Sequence, residues 1–152
     1  MSNDSPVKLY PFSLKKGKNI YGLIFGSKHP LAVNKFLDIV WKINPNNGSA
    51  NYDIYDDEEK KQPNLFPDLI GKTTKESFQI EFEERVLNEK INTNKDAYYY
   101  TLENGHIPKH AVDTLTKLKK QGKISYKSKS PLVNYDNVVK KRRIIEYEKV
   151  KD

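Results

Sequence analysis

At 152 residues the chain has room for one domain or for two small ones sharing a core. Its 36 % apolar and 31 % charged residues, with ten tyrosines, predict a polar, soluble protein too aromatic to be disordered throughout. The formal net charge of +7 is compatible with a polyanionic partner. The absence of cysteine excludes disulfides, thiolate metal sites and cysteine nucleophiles. With no membrane-length apolar run and no signal pattern at Met1-Ser2-Asn3-Asp4-Ser5, a cytoplasmic location is expected.

Residues 1–18 read as a polar lead-in, with a short edge strand at Val7-Lys8-Leu9-Tyr10-Pro11-Phe12 and a turn at Lys15-Lys16-Gly17-Lys18. The most apolar run follows, Asn19-Ile20-Tyr21-Gly22-Leu23-Ile24-Phe25-Gly26. Its length, its β-branched and aromatic content and its closing glycine predict a buried strand. Ser27-Lys28-His29-Pro30 then starts a helix to about Lys42, with Leu31, Val33, Phe36, Leu37, Val40 and Trp41 on its apolar face. The turn lacks the glycine spacing of a phosphate-binding loop, and His29 reads as a turn or capping residue. The chain's three histidines, His29, His106 and His110, form no cluster at ligand spacing, so neither a metal nor a cofactor is expected.

Residues 44–72 read as an irregular connector. Asn44-Pro45-Asn46-Asn47-Gly48-Ser49 is a run of turn formers, and Tyr52-Asp53-Ile54-Tyr55 allows a brief strand. Glu58-x-Lys60 and Glu59-x-Lys61 imitate the tail of a metal-dependent nuclease motif. That chemistry needs the carboxylates fixed on a strand beside another acid, and here they sit in a charge run without apolar alternation. No catalytic residue is assigned, and the chain is expected not to be an enzyme.

From Thr73 the pattern is helical. Thr73-x-x-Glu76 has the form of a capping box, and Phe78, Phe82 and Val86 recur at helical spacing with Leu87 beside them. Asn92-Thr93-Asn94 breaks that helix, and a shorter one from about Lys95 to Glu103 carries Tyr98-Tyr99-Tyr100. Asn104-Gly105 ends it. The next helix opens at Pro108, stops at Gln121-Gly122, and buries Ala111, Leu115 and Leu118 at i, i+4, i+7, which leaves His110, Thr114 and Lys117 for another face. Ile124-Ser125-Tyr126-Lys127, a polar loop to about Asn137 and a return through Val138–Tyr147 read as a hairpin wing. The order predicts an α+β fold: a winged helix-turn-helix with an N-terminal strand–helix extension, divided as residues 1–72 and 73–152.

Charge is segregated along the chain. Residues 1–104 hold 14 basic and 15 acidic side chains, whereas residues 105–152 hold 13 and 5, a net of +8. An excess confined to one helix, the wing and the tail is the footprint of a DNA-binding module. The predicted contacts are Lys109, His110, Asp113, Thr114, Lys117 and Lys120 in the major groove. Lys127, Lys129, Lys140, Lys141, Arg142 and Arg143 would reach the backbone. The alternative is a protein-interaction subunit, without nucleic-acid binding, that uses Tyr98, Tyr99, Tyr100, Leu132, Val133 and Tyr135. A lone strand beside one helix also buries little, which favours a protein partner or a homo-oligomer.

Tyr21-Gly22-Leu23-Ile24-Phe25-Gly26-Ser27-Lys28-His29-Pro30-Leu31 and Trp41-Lys42, taken with Ile107-Pro108-Lys109-His110, Leu115, Leu118 and Gly122-Lys123-Ile124, resemble the C-terminal part of the bacterial three-Cys-motif partner proteins. The resemblance covers roughly residues 19–147. It implies a strand and helix followed by a winged helix, placed in that family after a methyltransferase-like core. The glycine-rich strand end of a methyl-donor site is absent from these 152 residues. The likeness therefore implies an accessory or split module of a larger bacterial system and carries no methyl transfer.

Overall fold

The computed structural model describes residues 7–52 and 74–150. The chain divides into two compact units, Met1–Glu76 and Ser77–Asp152. The acidic run of the connector, residues 53–55 of the strand expected at Tyr52-Asp53-Ile54-Tyr55 and Thr73 of the expected capping box lie outside the described residues.

In the first unit, β1 (Lys8–Lys16) and β2 (Asn19–Ser27) pair antiparallel over their full length, from Lys8↔Ser27 to Lys16↔Asn19. The two-residue turn works because Gly17 takes a φ of 62°, a hand that matches strand twist and that side chains resist. Strand pleating sends Tyr10 and Phe12 to one face, where both are buried. Helix α1 (Pro30–Ile43) opens with proline in its first turn and buries Val33, Leu37, Val40 and Trp41. Phe36 stacks on Phe25 of β2 with ring centroids 4.4 Å apart. After α1, Asn44 accepts the amides of Asn46 and Asn47, and the chain returns beside β1. There the Ser13 amide donates to the Ser49 carbonyl at 2.8 Å and the Asn51 amide to the Ser13 carbonyl at 3.0 Å.

The expectation of a buried β2 is not met. The strand forms, but Ile20, Tyr21, Leu23 and Ile24 are exposed, Ile24 at 71 %, and Leu9 beside them on β1 is 65 % exposed. Among the described residues of this unit α1 covers one face of the hairpin, so an apolar run signals a strand without ensuring its cover.

The second unit holds α2 (Thr74–Leu87) from Ser77 onward, α3 (Asn94–Glu103) and α4 (Pro108–Lys120). Their cores meet through Phe78, Phe82, Val86, Ala97, Tyr98, Leu102, Ala111, Leu115 and Leu118, all buried. Thr93 caps α3 by accepting the Asp96 amide at 3.1 Å. Gly105 and Gly122 take left-handed φ values of 73° and 72° after α3 and α4. The chain then forms β3 (Ile124–Ser125), a π-helical turn (Asp136–Lys140) and β4 (Glu148–Lys149), which pairs antiparallel with β3.

The wing departs from the expected hairpin. Val138–Tyr147 is not a strand: its start is the π-helical turn, and Arg142 takes a φ of 51° that a strand forbids. Asp136 draws Lys140 and Lys141 to itself, and the Lys141 amide reaches back to the Asp136 carbonyl. The return segment is pinned to the start of α3 instead. The Tyr147 amide donates to the Asn92 carbonyl at 2.7 Å, and Glu146 forms an antiparallel bridge with Thr93. Buried Asn94 completes the clamp, donating to the carbonyls of Leu132 (3.2 Å) and Arg143 (2.9 Å) and accepting the Ile145 amide (2.9 Å).

Candidate nucleic-acid interface

Helix α4 is strongly two-faced. His110, Ala111, Thr114, Leu115 and Leu118 are buried, while Lys109, Asp113, Lys117 and Lys120 form an exposed stripe on the opposite side. Asp113, Thr116, Lys117, Lys120 and Gln121 line a shallow, open depression there. Its donors and acceptor suit a polar, anionic surface more than an apolar ligand.

Two expected contacts fall on the wrong side. His110 is 4 % exposed and Thr114 is buried beside it. Positions 110 and 114 each lie one residue before the predicted stripe, and α4 needs a wide apolar band because it packs against more than one neighbour. The Thr114 hydroxyl donates to the His110 carbonyl at 3.1 Å. The His110 ring meets His106, Nδ1 to Nδ1, at 3.1 Å, and Phe78 stacks on His106 with centroids 4.0 Å apart. Burial, with the neighbouring His110 adding to it, pulls His106 down to about 3 and keeps it neutral. This pair belongs to the core.

Lys117 is on the exposed stripe but engaged. Its Nζ donates to Glu83 of α2 at 3.1 Å, and Lys123 donates to the other carboxylate oxygen at 3.2 Å. Burial pushes the Glu83 carboxyl up, but the hydrogen bonds from Lys117 and Lys123 outweigh it and hold the group below the usual carboxylate range. Lys123 and Glu83 escaped the sequence reading, because their pairing spans 40 residues and leaves no local pattern.

Lys127 and Lys129 are exposed in the loop after β3. Lys119, in the last turn of α4, has a structural role: it donates to the carbonyls of Tyr126 (3.0 Å) and Ser128 (3.1 Å) and lies 3.8 Å from the Tyr126 ring centroid. Lys140, Lys141, Arg142 and Arg143 are all exposed, where an extended strand would have turned alternate residues inward.

The alternative tyrosine surface is reduced. Tyr98 is fully buried and Val133 nearly so, so neither can meet a partner. Tyr99, Tyr100, Leu132 and Tyr135 are half-buried. Tyr100 donates to Glu81 at 2.8 Å, and burial, helped by that bond, pushes its hydroxyl up to about 12.

Helices α2 to α4 followed by the short β3–β4 pair, with α4 presenting an open polar face, define a winged helix-turn-helix module. Residues 54–131, just over half of the chain, match the family described as the GMT-like wHTH domain, and the chain belongs to that family. The match agrees with the winged-helix part of the three-Cys-motif partner resemblance. Neither the curated proteins nor the solved structures give a match. Among the described residues no group of three or more His, Asp or Glu is placed to hold a metal, and no helix is long and apolar enough to cross a membrane.

Proposed function

We propose that this chain is a cytoplasmic, non-catalytic accessory subunit that binds duplex DNA through its winged helix, with residues 73–152 as the binding domain and 1–72 as an extension. The observation that carries this reading is the exposed α4 stripe of Lys109, Asp113, Lys117 and Lys120 on the side of the helix away from the core. It lies in the part of the chain that holds the whole positive excess. The groove-facing helix would set Lys109 and Lys120 on flanking phosphates. Asp113 can accept from a cytosine amine, and Thr116 can take either role at a base edge. Lys127, Lys129, Arg142 and Arg143 add backbone contacts, which supply affinity without sequence information. His110 and Thr114, being buried, have no part in it.

Fluorescence anisotropy with a mixed-sequence duplex over a range of salt tests the proposal. Affinity should fall steeply with salt, and Lys109→Gln/Lys120→Gln should flatten the log–log slope by about 2, since each lost phosphate contact removes about 0.9. No binding at low salt refutes it. A second reading, a protein partner or a second copy for the first unit, is favoured by the exposed apolar side chains of Leu9, Ile20, Leu23 and Ile24. Sedimentation over a range of concentrations tests the second-copy form, and a monomer throughout would remove it.

A further inference from the structure

At Glu83 on α2 two cations converge on a single anion through separate oxygens, Lys117 on Oε2 and Lys123 on Oε1. The lysines come from backbone that is fixed. Lys117 lies in the last turn of α4, and Lys123 follows the left-handed Gly122 and donates its amide to the Leu118 carbonyl. Both ammonium groups are open to solvent, whereas Glu83 is only 21 % exposed, so the carboxylate lies beneath the pair. Two ammonium groups about one small oxyanion make the donor arrangement that a phosphate takes as readily as a carboxylate. With the lysine ends of both pairs in solvent, each pair is screened and holds only modestly, so a more highly charged anion can take the carboxylate's place.

We propose that Lys117 and Lys123 form a phosphate cradle at the edge of the duplex interface and that Glu83 is its resident anion, which a backbone phosphate must displace. The inference rests on the nucleic-acid reading above and adds two elements to it, the second lysine and the competitor. Glu83 acts in two opposed ways. It keeps the lysine side chains gathered at one point, and it cancels one of their two charges until a stronger anion arrives. The device lowers affinity for any duplex, which leaves a larger share of the binding to the base-facing residues of the stripe.

The test compares the full chain with Glu83→Gln in duplex anisotropy across salt. The amide keeps the shape of the side chain and removes its charge. Glu83→Gln should bind roughly three- to tenfold tighter near physiological salt, with a slope steeper by about 1, as the one positive charge that Glu83 cancels is restored to the pair. The gain should vanish in Glu83→Gln/Lys117→Gln/Lys123→Gln. Equal affinity and slope in wild type and Glu83→Gln would overturn the cradle while leaving duplex binding intact. A gain that survives in the triple variant would overturn it as well, because Glu83 would then act as a diffuse charge. If neither protein binds at low salt, the nucleic-acid reading fails and this inference falls with it. If Glu83→Gln does not fold, Lys117→Gln/Lys123→Gln in the wild-type background decides: its slope should be flatter by about 1 or more, and an unchanged slope overturns the proposal.

Discussion

Replacing Asn94 by alanine should unfasten the wing. Asn94 is fully buried, and its side chain makes three hydrogen bonds to segments far along the chain, at Leu132, Arg143 and Ile145. Each such bond contributes about 1 kcal/mol net, and alanine leaves two carbonyls and one amide without their buried partner, so the loss is roughly 3 kcal/mol. That is a large share of the roughly 5–15 kcal/mol that holds a domain of this size. Urea unfolding followed by the tyrosine signal measures the loss, and hydrogen exchange at the Ile145 amide localises it. The exposed cations Lys127, Lys129, Arg142 and Arg143 should lose their fixed positions in the same variant, and duplex affinity should fall with them. Asn94→Asp should do little better, since it keeps the acceptor for Ile145 but turns a carboxylate toward two carbonyls. A loss under about 1 kcal/mol, less than a single buried hydrogen bond with its orphaned partner, would refute the clamp.

Other outcomes follow from packing and charge. Gly48→Ala should destabilise the first unit by roughly 2 kcal/mol or more. Gly48 has a φ of 62°, and an added Cβ would fall 2.1 Å from the Trp41 ring, so the emission of this sole tryptophan reports the change directly. His106 gives a pH dependence of definite sign. It stays neutral in the folded chain down to about 3, whereas the unfolded chain takes its proton near about 6.5. Stability is therefore full above that pH and falls by about 1.4 kcal/mol per pH unit as pH drops below it. Urea midpoints between pH 6.5 and 5, above the range where carboxylates protonate, should show the slope, and a flat profile would contradict the neutral buried ring. Lys119→Gln should cost about 1 kcal/mol of stability through its lost carbonyl bonds while leaving the salt slope of binding unchanged. Lys120→Gln should do the reverse, and the two separate a structural lysine from an interfacial one.

The helices of the second unit were legible because their signals are local. Pro108 and Gly122 mark α4 at both ends, and Thr93 caps α3, which starts at Asn94, one position before the expected Lys95. The winged-helix order followed from those boundaries. What governs the return segment is not local: Asn94 reads as a helix breaker, yet its partners lie 38 to 51 residues away. A run such as Val138-Val139 followed by four cations looks like a strand until Asp136 and Asn134 hold it in a turn, with Asn134 accepting the Asn137 amide at 2.9 Å. On α4 the lysine stripe was visible in the sequence, but the width of the buried face was not. A three-residue apolar stripe places His110 at its margin, and inside the fold it meets the ring of His106, which is itself stacked on Phe78. The β2 run showed the opposite failure, since hydrophobicity identified the strand but carried no information about what covers it.

Amide chemical shifts during a titration with a mixed-sequence duplex would show whether the exposed stripe of α4 meets DNA. Duplex binding through α4 should move the amides of Lys109, Asp113, Thr116, Lys117 and Lys120 and of the loop holding Lys127 and Lys129, with the changes fading as salt is raised. Changes confined to the β1–β2 hairpin, or none at all at low salt, would contradict it.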